Sequence, residues 1–363
     1  MISSRSGAPR GRSSGWSTDE GAGTVWVWWT RGGIRRTARH PEGARFLLRR
    51  KNRVPVIDRA YGDPRLAAMR TAALHGGAAG WPEVRGHLAA AEGQEDLTFL
   101  VGGLHDVVGM ERWIGEVVAA RPDDTLALLV SAARQVTWAW QARGSGRADS
   151  VTEDGWTLFR ERLVVAEEQL LDVAEREPSW ATPWYFLQIA GRGLQVGPDV
   201  ALRRFEATCR RAPGHAAAHR QYLQQLSKKW GGSHERMHAF ARESMLGAPE
   251  GSRLGELVAE AYLEEWLDAG GDPDSARLRD PRVVRALHEA GARSVHHPAF
   301  ERSRDWAIAV NSFALAFGLA GEDAAARTMF RMVAKQPTES PWNYLNGRSP
   351  VVPFLAWRNR VGA

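Results

Sequence analysis

A register of about 36 residues runs through the middle of this chain and constrains its fold more than any other feature. Closing prolines fall at Pro178, Pro213 and Pro249, spaced 35 and then 36 residues apart. The same offset aligns Leu187 with Leu223 and Ala259, Ala190 with Leu226 and Tyr262, and Leu194 with Trp230 and Trp266. A period of this size with helical spacing inside it marks helix pairs that cannot bury their apolar faces alone and must stack on neighbours. The expected fold is therefore all-α: an α-solenoid of stacked helical hairpins over about residues 64–345, followed by a C-terminal cap.

The second helix of each hairpin carries its own signature. Ala166-x3-Leu170-x7-Pro178 has the spacing of Ala201-x3-Phe205-x7-Pro213, and Ala326-x3-Phe330-x6-Pro337 is one residue shorter. A small residue lets two helices approach, and a large one four positions on fills the gap between them. Sixteen tryptophans suit the same packing. Phe159, Leu163, Ala166, Leu170 and Val173 form one amphipathic stripe, and Arg143–Gly155 reads as a loop joining it to the helix over 126–142. Thr182-Pro183-Trp-Tyr-Phe-Leu187 is echoed by Ser340-Pro341-Trp-Asn-Tyr-Leu345, each with a capping hydroxyl and proline at the first helical position. Residues 303–320 are apolar on more than one face, so the segment from about 341, with Val351, Val352, Phe354, Leu355 and Trp357, is expected to cover them.

The small-x3-large pattern with its closing proline resembles the tetratricopeptide-like helical-repeat superfamily. The resemblance covers residues 155–340 well and 64–143 loosely, and lacks the Leu-Gly and Tyr positions of the strict consensus. The stretch Lys229–Arg242 is similar to uncharacterised bacterial proteins of this kind. The resemblance implies a fold and no activity.

Charge is divided unevenly. Residues 1–53 hold 12 Lys/Arg against three acids, a balance of +9, while the whole chain is +6, which leaves −3 for residues 54–363. The helical body is mildly acidic, so nucleic-acid binding, if any, is expected through the basic leader and not through the body. That leader reads as disordered. An alternative is that translation begins inside it, at Val25, Leu47 or Leu48, since the next methionine is Met69. Its longest apolar run is too short for a secretory signal. No stretch is long and apolar enough to span a bilayer, and the expected location is cytoplasmic. The single cysteine, Cys209, rules out a disulfide framework and is expected to be buried and inert.

One motif could carry chemistry. His234-Glu235-Arg-Met-His238 matches H-E-x-x-H, in which two histidines on one helical face bind zinc and the glutamate activates water. Glu256 or Glu260 is a candidate third ligand. Against a zinc peptidase, Ser233 reads as the N-cap, which puts His234 at the very start of its helix. Arg236 also places a cation between the ligands. Met237, Phe240 and Ala241 explain the helix as an ordinary hairpin member.

No phosphate loop, dinucleotide fingerprint or nucleophile elbow is present, so the expectation is a non-enzymatic scaffold without a cofactor that binds a protein or peptide. The first helices carry an aligned polar row at the 36-residue offset: Gln188, Gln224 and Glu260, then Arg192, Lys228 and Glu264. Gln188, Arg192, Gln224 and Lys228 are expected to be solvent-accessible on one groove, with Leu187, Ala190, Leu223 and Leu226 buried beside them.

Overall fold

The computed structural model describes residues 54–144 and 151–363. The basic leader, and with it the nucleic-acid alternative, lies outside the described residues, as do residues 145–150 of the Arg143–Gly155 loop. The described chain is all-α, built from packed helix pairs. Its helices are α1 (Pro64–Gly76), α2 (Trp81–Ala89), α3 (Gln94–Leu104), α4 (Met110–Ala120), α5 (Thr125–Arg143), α6 (Glu153–Arg176), α7 (Thr182–Leu194) and α8 (Pro198–Arg211). They continue with α9 (Ala216–Leu226), α10 (His234–Gly247), α11 (Glu256–Asp268), α12 (Pro281–Arg293), α13 (Ala307–Ala320), α14 (Asp323–Val333) and α15 (Val351–Arg360). No helix among the described residues is long and apolar enough to cross a membrane.

Local chemistry sets these boundaries. Asp63 caps α1 by accepting hydrogen bonds from the Arg65 and Leu66 amides, with Pro64 at the first helical position. Ser233 caps α10 by accepting from the Arg236 amide, and Asp280 caps α12 in the same way from Arg282. Pro178, Pro213 and Pro249 each lie two residues beyond a helix end, at Arg176, Arg211 and Gly247, where proline stops the helix without losing a ladder hydrogen bond. The two Thr/Ser-Pro-Trp echoes diverge. Thr182 opens α7, but its hydroxyl meets Thr98 Oγ1 of α3 at 2.9 Å and caps nothing. Ser340-Pro341 leads only into a single 3₁₀ turn at Trp342–Tyr344.

Packing sorts the helices into two rows. Most helices pack on the next, and α3, α5, α7, α9, α11 and α13 also pack side by side as alternate members. This inner row is buried on most faces, and every residue of α13 is buried. The partner helices α6, α8, α10, α12 and α14 bury one stripe and expose the rest. Leu187, Leu223 and Ala259 are equivalent buried positions on α7, α9 and α11. Gly193 shows how tight the stack is, because a Cβ there would stand 2.4 Å from Leu163 Cδ1 and 2.8 Å from Phe159 Cζ.

The end of the chain folds back over α13 and α14. Phe354 of α15 packs edge-on against Phe330 of α14 and Trp342, with ring centroids 5.4 and 5.5 Å apart. Trp357 lies on Gly318 of α13, within 2.8 Å of where a Cβ would stand. Phe354→Ala should therefore cost about 3–5 kcal/mol, whereas Val352→Ala on the same helix, at a side chain 57% exposed, should stay within about 0.5 kcal/mol. Denaturant unfolding of the two variants checks this, and similar midpoints would mean that α15 is not part of the cooperative core.

Candidate functional site

The inner row curls far enough for its two ends to meet. Arg304, just ahead of α13, donates to Glu95 Oε2 of α3 at 2.6 Å. Arg59, ahead of α1, pairs with both Asp106 and Glu339. These contacts join residues 209 and 280 positions apart in the chain. The concave side of the stack is consequently an interior. It holds a partly open well of about 140 Å³ lined by charged and apolar groups, a volume close to that which holds a benzene-sized group.

Asp305 is the hub of its wall. Its carboxylate takes Arg220 of α9 on one oxygen and Arg253, just ahead of α11, on the other. Arg220 also donates to Glu256 Oε1 of α11 at 2.7 Å, and Arg253 lies 3.7 Å from Glu95. Burial alone would raise the Asp305 pKa. The two guanidiniums outweigh it and hold the carboxyl far below the usual carboxylate range. A second group sits across the well, where Asp106 receives Arg59 and Arg70.

Several lining groups have special states. His215 is the N-cap of α9, and its Nδ1 accepts from the Ala218 amide at 3.2 Å. That contact puts the ring proton on Nε2, which is buried and has no partner among the described residues. Burial, reinforced by Arg253, lowers the His215 pKa to about 3, so the ring is neutral. Tyr185 stacks on it at 5.6 Å and 16°, and burial pushes the Tyr185 phenol up to about 12. Tyr61 and Arg304 line the well with left-handed backbones, each at φ 54°. Such conformations cost non-glycine residues roughly 1–3 kcal/mol and persist only where the surroundings fix them.

The polar row read from the sequence takes a different place from the one expected. Gln188 and Arg192 are buried, not solvent-accessible, and so are Glu260 and Glu264. Gln188 donates to Thr208 Oγ1 at 3.0 Å. Arg192 donates to the Gln221 carbonyl at 2.9 Å and to its Oε1 at 2.6 Å, and burial lowers its pKa to about 10. Gln224, half-buried, donates to Glu264 Oε1 at 2.7 Å, and Glu264 also receives Lys229 at 2.7 Å and the Tyr344 hydroxyl at 3.3 Å. Lys228 alone stays exposed, 3.3 Å from Asp268. Arg192 and Gln224 bridge neighbouring inner helices and Gln188 reaches the partner helix α8, because the stack curls until its concave face becomes an inside. Leu187, Ala190, Leu223 and Leu226 are buried as expected.

The zinc alternative's ligand set is not brought together. His234 faces Asp268 at 3.2 Å and His238 faces Glu265 at 2.8 Å, both on the outer side of α11. Glu256 and Glu260 project from the opposite, buried side. Cys209 is half-buried, with its thiol pushed up to about 12 by burial. Sequence reasoning missed Arg59, Asp106, His215, Arg220, Arg253 and Asp305, because they sit in turns or at polar helix positions outside the 36-residue register. Comparisons with protein-family models, curated proteins and solved structures find no match for this chain.

Two outcomes follow from the wall. Asp305→Asn leaves Arg220 and Arg253 without their shared countercharge and should destabilise the fold by about 3–5 kcal/mol, read from urea unfolding at neutral pH. Glu260 should behave oppositely. Burial, and then the Glu256 charge, raise its pKa well above 4.5, so the folded state holds a proton that the unfolded chain releases. Its contribution to stability therefore falls as pH rises above 4.5 towards the folded value. Glu260→Gln should be more stable than the parent near pH 8 and match it near pH 4, and a pH-independent difference would contradict this assignment.

Proposed function

We propose that this is a non-enzymatic binding protein of the tetratricopeptide-like helical-repeat type, and that it grips a protein or peptide partner through the central well. The closing prolines and the small-x3-large pairs at Ala166, Ala201 and Ala326 support the repeat type. The observation that carries the binding reading is the well itself. It is a concave cavity of mixed lining, with fixed donors and acceptors set among apolar groups and a volume suited to one side chain or one chain end. The partner in this reading is not an extended segment along an open groove, since Gln188, Arg192, Glu260 and Glu264 are enclosed.

Gly102 provides the test. It lies on α3 and lines the well, and a Cβ there would meet nothing within 4 Å. Gly102→Leu should fill the cavity without displacing backbone and without touching a charge. Affinity capture from the native host with the parent chain and Gly102→Leu in parallel, read by mass spectrometry, should give a partner retained by the first and lost by the second. Their melting temperatures should agree within a few degrees. Equal capture by both chains would move the binding surface away from the well.

A further inference from the structure

The charges around the well are uneven in a specific way. All five lining arginines are engaged: Arg59 with Asp106 and Glu339, Arg70 with Asp106, Arg220 with Glu256 and Asp305, Arg253 with Asp305 and Glu95, and Arg304 with Glu95. The guanidiniums are thus committed to the wall. Carboxylates are in excess, and the excess is localised. Glu260 lines the well, is 9% exposed, and has no hydrogen bond or ion pair among the described residues.

Other acceptors beside it are short of donors. Glu256, one helical turn earlier on the same face of α11, gives one oxygen to Arg220, while its buried Oε2 has no partner. The Gln224 amide nitrogen is fixed on Glu264, which leaves its buried Oε1, on a residue lining the well, without a donor. Two donors on lining residues are also left over among the described residues, the Nε2–H of His215, which is 2% exposed, and the Nε–H of Arg304. Both His215 and Glu260 lie in the field of Arg220 and Asp305. A compact group with several N–H donors, followed closely by one acceptor, would answer the lining acceptors and His215.

Resting on the binding reading above, we propose that the well captures a primary ammonium group, with Glu260 as its counter-charge, and that the source is the N-terminus of a peptide. An ammonium supplies three donors in a small volume, which suits the Glu260 carboxylate and the Gln224 Oε1 on the two residues that line the well. A peptide N-terminus adds a carbonyl one residue on, which the His215 Nε2–H can serve. A lysine side chain supplies the ammonium without that carbonyl. The groups facing Glu260 are Glu256 and Glu264 from its own helix, Arg220 from α9, Asp305 from the turn before α13, and Tyr344 from the 3₁₀ turn. Three of these are carboxylates whose charge a bound cation would offset, so capture should release a proton from Glu260 at neutral pH.

The experiment uses the full chain and three probes at millimolar concentration: pooled dipeptide amides with free N-termini, the same pool N-acetylated, and Nα-acetyl-lysine amide. Thermal shift and calorimetry in buffers of different ionisation heat give affinity and protons released. The free pool should bind, the acetylated pool should not, and Glu260→Gln should lose at least about tenfold in affinity, roughly 1.4 kcal/mol, together with the proton release. Binding of Nα-acetyl-lysine amide as tight as the free pool would keep the ammonium and reassign its source to a side chain. Equal binding of free and acetylated pools, binding by Glu260→Gln as by the parent, or no binding by any amine would overturn the proposal. The Gly102→Leu arm separates the two levels. Loss of partner capture in that variant, with no amine dependence, retains the well as the site and removes only the ammonium assignment.

Discussion

One carboxylate is the hub of the charge network at the centre of the helical stack. Asp305 joins Arg220 and Arg253, and through them Glu256 and Glu95, so that α3, α9, α11 and the turn before α13 share one charge network. A stack of helical hairpins is ordinarily quasi-one-dimensional, each unit touching only its neighbours. Here the first and last units are tied across the centre, and their energetics are coupled. A buried network of this kind is not a large net source of stability, because desolvation offsets most of the attraction. What it fixes is geometry. With Arg220 and Arg253 each held between carboxylates, the ends of the helical stack are tied together and the well has a defined lining.

The fold was legible because its signals are periodic and local. The prolines at 178, 213 and 249 end helices, and Leu187, Leu223 and Ala259 take equivalent buried places. The loop region around 143–155 falls between two long paired helices, α5 and α6. Each of these follows from a pattern a few turns long. Capping was less secure. Asp63 and Ser233 cap as their positions suggest, but Thr182 is drawn away by Thr98 across the helix stack, a partner that no local pattern contains.

The site was much less legible, and the reason is geometric. The 36-residue register identifies which residues share a row, but whether that row faces solvent or an interior depends on the small rotation between successive hairpins. That rotation accumulates over the whole stack. Gln188, Arg192, Gln224 and Glu264 were read correctly as one row and wrongly as a solvated surface, since a polar row with internal partners has the same sequence pattern as a wet one. The apolar run at 307–320 did signal a covered helix: α11 and α12 pack on α13 beside α14, and the chain's own end adds Trp357 at Gly318. The arginines and Asp305 lie in non-periodic stretches and left no trace of their convergence.

Glu256, Glu260 and Glu264 occupy successive turns of one face of α11, and their treatment by the fold differs. Glu256 has Arg220, and Glu264 has Lys229, Gln224 and Tyr344. Glu260, between them, has none of these among the described residues, though it too is buried. Like charges four residues apart on a helix repel, and burial adds to that, so stability alone would favour a neutral side chain at this position. A local choice that opposes the folded state, placed on the wall of a cavity whose five arginines are each paired with a carboxylate, is the pattern expected where a site is held ready for something outside the chain. The strained backbones of Tyr61 and Arg304 border the same space. Unfavourable features at separate points of the chain thus converge on a single small volume, and that convergence argues for a ligand site more strongly than any one of them does.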